Sequence, residues 1–299
     1  MNKSHFIHSS VIPPSELIVS KEGRIYHLDL KPSEIADNII IVGDQDRVPQ
    51  VSRHFNKIEH KIAKREFITH TGTYKGNRIS VLSTGIGTDN IDIAINELDA
   101  ITNIDLKTKM IKKDHRSLNI IRIGTSGSLQ EDIPVDSFVV STHGLGFDGL
   151  LGFYNTNPDD EELKLKKAFL SQVNWPIEAN IPYFTIGDKE LIDDLGHGFH
   201  HGITATANGF YGPQGRSLRL ETKVPELNEQ LNQFRYKELR ITNFEMETSA
   251  LYGLSAMLGH RACTVCAIIA NRFKKEYSKD YKKTVDQLIE ITLDRLLKQ

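Results

Sequence analysis

Several features that mark large classes of protein are scarce or missing in this chain of 299 residues. It holds two cysteines, too few for a disulfide framework. They stand as Cys263-Thr264-Val265-Cys266 inside a β-branched, apolar run, 262–270, that reads as a buried strand. Residues three apart on a strand point to opposite faces, so this pair is not expected to chelate a metal or close a bridge. No stretch reaches the roughly 18 apolar residues of a membrane span, and the polar start with Pro13-Pro14 lacks a signal-peptide core. Charge of one sign is missing too: 37 Lys and Arg face 39 Asp and Glu, a net of −2. A broad nucleic-acid surface is therefore disfavoured, although a local basic pocket is not. A Walker A loop is absent, and no Pro/Gly/Ser-rich linker separates two halves. The hydrophobic share of 39% is enough for a real core. A cytoplasmic chain with neither nucleic-acid nor membrane partners is the expectation.

What is present alternates strands with helices. Residues 1–36 read as an irregular lead-in. Asn38 to Val42 is a short apolar run stopped by Gly43-Asp44, the signature of a buried strand. A short helix is expected over Asp46 to Phe55, and strands over Arg65 to Tyr74 and Arg78 to Ser83 about the turn Lys75-Gly76-Asn77. Asp89 should cap a helix whose Ile91, Ala94, Ile95, Leu98 and Ile101 keep a three-to-four spacing. The charged stretch 105–116 reads as a solvated insertion. Strands resume at Asn119 to Ile123 and Ser137 to Ser141. A helical stretch, Asp159 to Phe169, leads to strands Pro182 to Ile186 and Gly202 to Ala207. Glu245 to Leu258 reads as a helix, followed by the cysteine-bearing strand and an amphipathic helix, Lys279 to Leu297. Interleaving of this kind points to one α/β domain over residues 37–299.

Two loud motifs carry little. Gly144-Leu145-Gly146-Phe147-Asp148-Gly149 matches a dinucleotide fingerprint, but loop-like residues follow where a helix must open to hold a pyrophosphate. His197, His200 and His201 crowd one loop without a carboxylate to complete a metal set. The quieter signals lie at strand ends. Gly43-Asp44-Gln45-Asp46-Arg47 and Arg122-Ile123-Gly124-Thr125-Ser126-Gly127 each combine glycine with arginine, and the second reads as a backbone nest for an oxyanion. Two such ends in one α/β sheet point to a phosphate pocket at its carboxyl edge. In Phe210-Tyr211-Gly212-Pro213-Gln214-Gly215-Arg216 a ring can stack a planar heterocycle while Gln214 and Arg216 bind its edge. Glu245-Met246-Glu247 reads as first-turn helix acids, or as a carboxylate for adjacent ribose hydroxyls.

In this order the segments resemble the nucleoside phosphorylase-I family, and within it the uridine phosphorylase branch. The likeness runs from about Tyr26 to Leu297 and includes Arg65-Glu66-Phe67, Ser83-Thr84-Gly85-Ile86-Gly87 and Asn271-Arg272. It implies a single-domain, three-layer α/β fold with a central mixed, twisted sheet flanked by helices. Carried over by position, it implies that Gly43, Arg47, Arg122 and Thr125 hold phosphate, with Arg65 reaching in from a neighbouring subunit. Met246 and Glu247 would bind ribose, and His27 would meet the 5′-hydroxyl across a dimer interface. Phe210, Gln214 and Arg216 would recognise the base, and Arg272 resembles an arginine near the active-site lid. Arg122, Gln214, Arg216 and Glu247 would carry the catalysis. Purine-cleaving relatives have an acid where Asn271 stands here, which favours a pyrimidine. The implied reaction is phosphorolysis of uridine in pyrimidine salvage, by a homo-oligomer that is at least a dimer and possibly a hexamer. Inorganic phosphate would be co-substrate, with no metal or organic cofactor. A purine phosphorylase, a hydrolytic nucleosidase and a non-catalytic nucleoside- or phosphate-binding regulator stay open as alternatives.

Overall fold

A computed structural model describes residues 11–176 and 178–297. The chain forms two compact units. The first gathers the described residues up to Gly85 with Asn90–Ile120 and Leu254–Arg261; the second gathers Ile86–Asp89, Ile121–Gly253 and the described residues from Ala262.

In the first unit, β1 (Asn38–Val42) pairs parallel with β4 (Asn77–Ser83), and β3 (Phe67–Tyr74) joins β4 antiparallel. β2 (Lys57–Lys64) forms the outer edge on β3. Ile39 to Val42 are buried without alternation, as the apolar run implied. β2 was not expected. Its sequence, Lys-Ile-Glu-His-Lys-Ile-Ala-Lys, is charged at Lys57, Glu59, Lys61 and Lys64, and such charges protect a sheet edge from further pairing. Strand β3 begins at Phe67 and not at Arg65, because Arg65 turns the β2–β3 hairpin with φ +55°. α1 (Arg47–Ser52) follows β1, and α2 (Thr88–Asn103) buries Ile91, Ala94, Ile95, Leu98 and Ile101, starting one residue before Asp89. The 105–116 stretch is largely exposed, and a two-residue hairpin, β5 (Ile104–Asp105) with β6 (Met110–Ile111), forms at its start. Residues 11–36 hold one 3-10 turn, Pro32–Glu34, yet Leu17, Ile25, Leu28 and Leu30 are buried. The described lead-in is irregular and packed.

The second unit is built on β7 (Asn119–Ser128), β8 (Phe138–Gly146), β9 (Tyr183–Ile186), β10 (His200–Thr206), β11 (Arg235–Tyr236), β12 (Leu239–Glu245), β13 (Arg261–Asn271) and β14 (Glu276–Tyr277). The order is β11-β12-β10-β8-β13-β7, and β7 returns to pair with β12 through Gly127–Phe244 and Ser128–Asn243. β10 runs parallel to β8 and β12, while β13 is antiparallel to β8. The sheet is mixed, as implied.

Helices α3 (Asp160–Gln172), α4 (Lys189–Leu195), α5 (Leu227–Gln233), α6 (Thr248–Leu258) and α7 (Tyr281–Leu296) accompany these strands. Asp159 caps α3 in a reciprocal box with Glu162. Phe147, Phe169, Phe184, Phe234 and Phe244 form the centre of one apolar core with Leu145, Leu165 and Leu231. Several boundaries differ from the sequence reading: β7 and β8 run on to Ser128 and Gly146, and α4 and α5 were not expected. β12 was missed, and α6 opens at Thr248, so Glu245 ends a strand instead of starting a helix. No helix among the described residues is long and apolar enough to cross a membrane.

Candidate active site

Glu245, Met246 and Glu247 form the sharp passage from β12 into α6, and several hydrogen bonds converge there on the two carboxylates. Glu245 accepts from the Thr206 hydroxyl at 2.7 Å and from the backbone N–H groups of Glu247 and Thr248. It therefore caps the start of α6 from the strand side. Glu247 accepts the N–H of Gly87 at 2.9 Å through Oε1 and the N–H of Met246 at 3.3 Å through Oε2. Oε2 also receives the Arg122 guanidinium. Arg122 Nη1 lies 3.3 Å from Glu245 Oε2 and 3.6 Å from Cys266 Sγ. A Cβ on Gly124 would stand 2.0 Å from Arg122 Nη1, so the glycine leaves room for the guanidinium to fold back along its own strand.

All three charges are buried. Burial works against the charge on Arg122, but Glu247 and then Glu245 outweigh it and raise its pKa. Burial likewise raises the Glu245 carboxyl, opposed by Arg122. One cation stands between two acids, the arrangement that keeps buried charges tolerable. The backbone nest expected after Arg122 is not formed at Gly127–Ser128. β7 continues to Ser128, and these two residues pair with Phe244 and Asn243. Thr125 sits within this strand, half-buried.

The base-reading candidates meet on the irregular stretch 207–226, whose one regular element is the 3-10 turn Gly212–Gln214. Gly215 closes the turn with φ +67°, a conformation that favours glycine. Gln214 is buried at 2% exposure. Its Oε1 accepts from Arg216 Nη1 at 2.6 Å and Arg272 Nη2 at 2.9 Å, while its carbonyl accepts from Arg272 Nη1 at 2.6 Å. Arg272, one residue past β13, thus grips Gln214 at two points. The Arg216 guanidinium lies 3.7 Å from the centre of the half-exposed Phe210 ring. One face of the ring expected to stack a base is therefore covered by a cation. Burial, with Arg216 nearby, pushes the Arg272 pKa down to about 10, and burial lowers Arg216 as well.

Gly43, Arg47 and Arg65 lie in the first unit. Gly43 follows β1, and a Cβ there would come within 3.3 Å of the Gly85 carbonyl. Asp44 accepts the Asp46 N–H at 2.9 Å, and the buried Arg47 opens α1. Gln45 Nε2 donates to the Arg65 carbonyl at 2.9 Å, tying the Arg65 turn to this loop. His27 is in the packed lead-in, its ring edge-on to Tyr26 at 4.7 Å and its Nδ1 against Glu97. Sequence reasoning missed Glu97, because a lone acid on a helix reads as a solvated charge.

The remaining sequence signals are structural. Asn271 donates to the carbonyls of Gln130 and Ile133, both at 2.9 Å, and accepts the N–H groups of Phe273 and Lys274. Its amide brackets a turn. Gly144 and Gly146 lie in β8, where a Cβ would meet Ser249 at 2.7 Å and the Tyr183 ring at 2.3 Å. No α-helix opens after Gly149; a 3-10 turn, Leu150–Phe153, does, as the dismissal of the fingerprint expected. Cys263 and Cys266 are free and buried, and burial raises both thiols, Cys266 to about 11, which leaves neither as a ready thiolate.

Asp99, His115 and His260 form a cluster that the sequence hid, since the three lie far apart in the chain. His260 Nδ1 accepts the Leu118 N–H at 3.2 Å, so in the neutral ring the proton is on Nε2, which faces Asp99 Oδ1 at 3.2 Å. A protonated Nε2 offers a metal no lone pair.

The chain is similar to known nucleoside phosphorylases. A phosphorylase superfamily model matches residues 37–298. The uridine phosphorylase of Thermococcus kodakarensis is 33% identical over 88% of this chain and 83% of its own length. A DeoD-type purine nucleoside phosphorylase of Oceanobacillus iheyensis is 29% identical over 91% of this chain and 99% of its own. Among solved structures, a Trypanosoma brucei nucleoside phosphorylase described as showing uridine phosphorylase activity superimposes with a TM-score of 0.86. It is 29% identical and covers 95% of this chain and 100% of its own. A match unbroken from residue 37 to residue 298, on an α/β frame with a mixed sheet, makes this chain a member of the phosphorylase superfamily.

Proposed function

We propose that this chain catalyses the phosphorolysis of uridine to uracil and ribose 1-phosphate. The observation that carries this reading is the grouping of Gln214, Arg216 and Arg272 beside Phe210. Two guanidinium groups and a buried carboxamide suit a planar base whose carbonyl oxygens gain negative charge as it leaves. Asn271 carries no acidic proton, and its amide is already engaged at four hydrogen bonds, so protonation of a purine nitrogen has no donor there.

In this reading Gly43, Arg47, Arg65, Arg122 and Thr125 bind phosphate, and Arg65 and His27 serve the site of a partner subunit. A phosphate oxygen forms the new bond to the anomeric carbon, and the bond from that carbon to the uracil ring nitrogen breaks. The electron pair leaves with the base and spreads over its oxygens near Arg216. The sugar passes through an oxocarbenium-like state, with Glu247 on its hydroxyls and Met246 against it. Positioning and electrostatics perform the work, so phosphate is co-substrate and the reaction calls for no organic cofactor. The enzyme acts as a homo-oligomer, at least a dimer, in cytoplasmic pyrimidine salvage.

The test is uracil release from uridine with and without phosphate, with inosine in parallel. Phosphate-dependent release from uridine is expected. Phosphate-independent release would make the protein a nucleosidase, preferential cleavage of inosine a purine phosphorylase, and binding without turnover a regulator.

A further inference from the structure

Three donors from one short stretch of the lead-in converge on a single carboxylate. Glu97, on α2, accepts the backbone N–H of His27 at 3.0 Å to each oxygen and the N–H of Leu28 at 2.8 Å. Its Oε1 also lies 2.7 Å from Nδ1 of the His27 ring. The glutamate side chain is 13% exposed and the histidine side chain 29%, so the pair is sheltered but not sealed from solvent.

An ionised carboxylate only accepts hydrogen bonds. With two backbone N–H groups already directed at it, the hydrogen between Glu97 and the ring belongs to Nδ1. A neutral imidazole carries one N–H, so Nε2 keeps its lone pair and turns into an acceptor. We infer that Glu97 is a positioning residue that fixes both the place and the tautomer of His27, presenting Nε2 as an acceptor for the ribose 5′-hydroxyl. The inference rests on the proposed reading of His27 as a ribose contact. It adds a specificity: the site admits nucleosides with a free 5′-hydroxyl. It disfavours 5′-deoxynucleosides, which have no donor for Nε2.

The experiment compares kcat/KM for uridine and 5′-deoxyuridine in the wild-type protein, His27→Ala and Glu97→Leu, with ring 15N spectra of His27 assigned by difference from His27→Ala. The wild type should prefer uridine by about five- to tenfold, the worth of one well-made hydrogen bond. Both variants should lose most of that preference through a higher KM for uridine, with 5′-deoxyuridine little changed. A general structural loss would lower both substrates together and leave the ratio. The spectra should show a protonated Nδ1 and an unprotonated Nε2, the reverse of the tautomer preferred by free histidine. If His27→Ala keeps the ratio while phosphorolysis proceeds, the reading of His27 is wrong. If His27→Ala abolishes the ratio and Glu97→Leu keeps it, the role of Glu97 is wrong. Should Glu97→Leu fail to fold, a wild-type spectrum with the hydrogen on Nε2 overturns the inference by itself.

Discussion

Arg122 and Glu245 are strand residues, and Glu247 stands two residues beyond the end of β12. Gln214 and Arg216 instead lie in a stretch of twenty or so residues with a single 3-10 turn. The first group is positioned by backbone pairing: β7 and β12 hydrogen-bond to each other, and the side chains inherit that geometry. The second has no such frame, and side chains supply the order. Arg272 bonds the Gln214 carbonyl and Oε1 at once, and Arg216 stacks on Phe210 while bonding the same Oε1. The charge centre, the proposed sugar site, is thus expected to be rigid and unforgiving, and the proposed base reader adaptable and tunable.

The largest effect should come from Glu247→Ala. It removes the chief partner of a buried guanidinium and the proposed ribose carboxylate together. Breaking a buried pair costs about 3–5 kcal/mol, and because Glu245 remains 3.3 Å away the low end is expected. Thermal unfolding should register that loss, and kcat/KM for uridine should fall by about 10²-fold or more. A stable, active variant would mean that the rigid centre is not the centre.

Arg272→Ala sharpens the contrast from the other side. It deletes two charge-assisted hydrogen bonds that hold Gln214 but touches no strand pairing. At about 1.5–3 kcal/mol for such a bond, the expected loss is about 10- to 100-fold in kcat/KM for uridine, with a Tm close to wild type. Equal losses of activity and stability would show that the segment is part of the frame. Phe210→Ala should be milder still. It removes a ring that is half-exposed and holds Arg216 by a cation–π contact worth about 0.5–1 kcal/mol at such a site, so a two- to fivefold rise in KM is expected.

The same two regions explain what could be read in the sequence. Apolar runs and stripes announced β1, α2 and α7, because there burial and hydrophobicity coincide. β12 was invisible since Thr242, Asn243 and Glu245 are buried polar residues: the Thr242 hydroxyl donates to the Ile203 carbonyl, Asn243 bonds Thr204 and Ser126, and Glu245 accepts from Thr206, all on neighbouring strands. Only the assembled sheet provides those partners, so no local pattern marks the strand. β2 hid for the opposite reason, as a charged edge. The grouping of Phe210, Gln214 and Arg216 was legible because they lie within seven residues of each other. The grip of Arg272 on Gln214 spans 58 positions and the contact of Glu97 with His27 spans 70, and neither leaves a trace in residue order.

The smallest predicted effect concerns acid and the frame around the rigid centre. His143, on β8, has its pKa lowered by burial, with Glu161 and Asp159 opposing from a distance. A histidine whose folded value lies below its unfolded one binds a proton more readily when unfolded. Its contribution is therefore complete above the unfolded value, near 6.5, and is lost as pH falls toward the folded value. The wild-type Tm should drop as the buffer is taken from about pH 7.5 to 5.5, and His143→Gln, which cannot titrate, should remove a part of that drop on the order of a few degrees. Uridine KM measured over the same interval at a temperature well below both transitions should not differ between the two proteins, because His143 belongs to the strand frame, where its Nδ1 meets the Thr142 hydroxyl at 2.9 Å. A KM that follows His143 would couple the frame to the base reader and end the division between them.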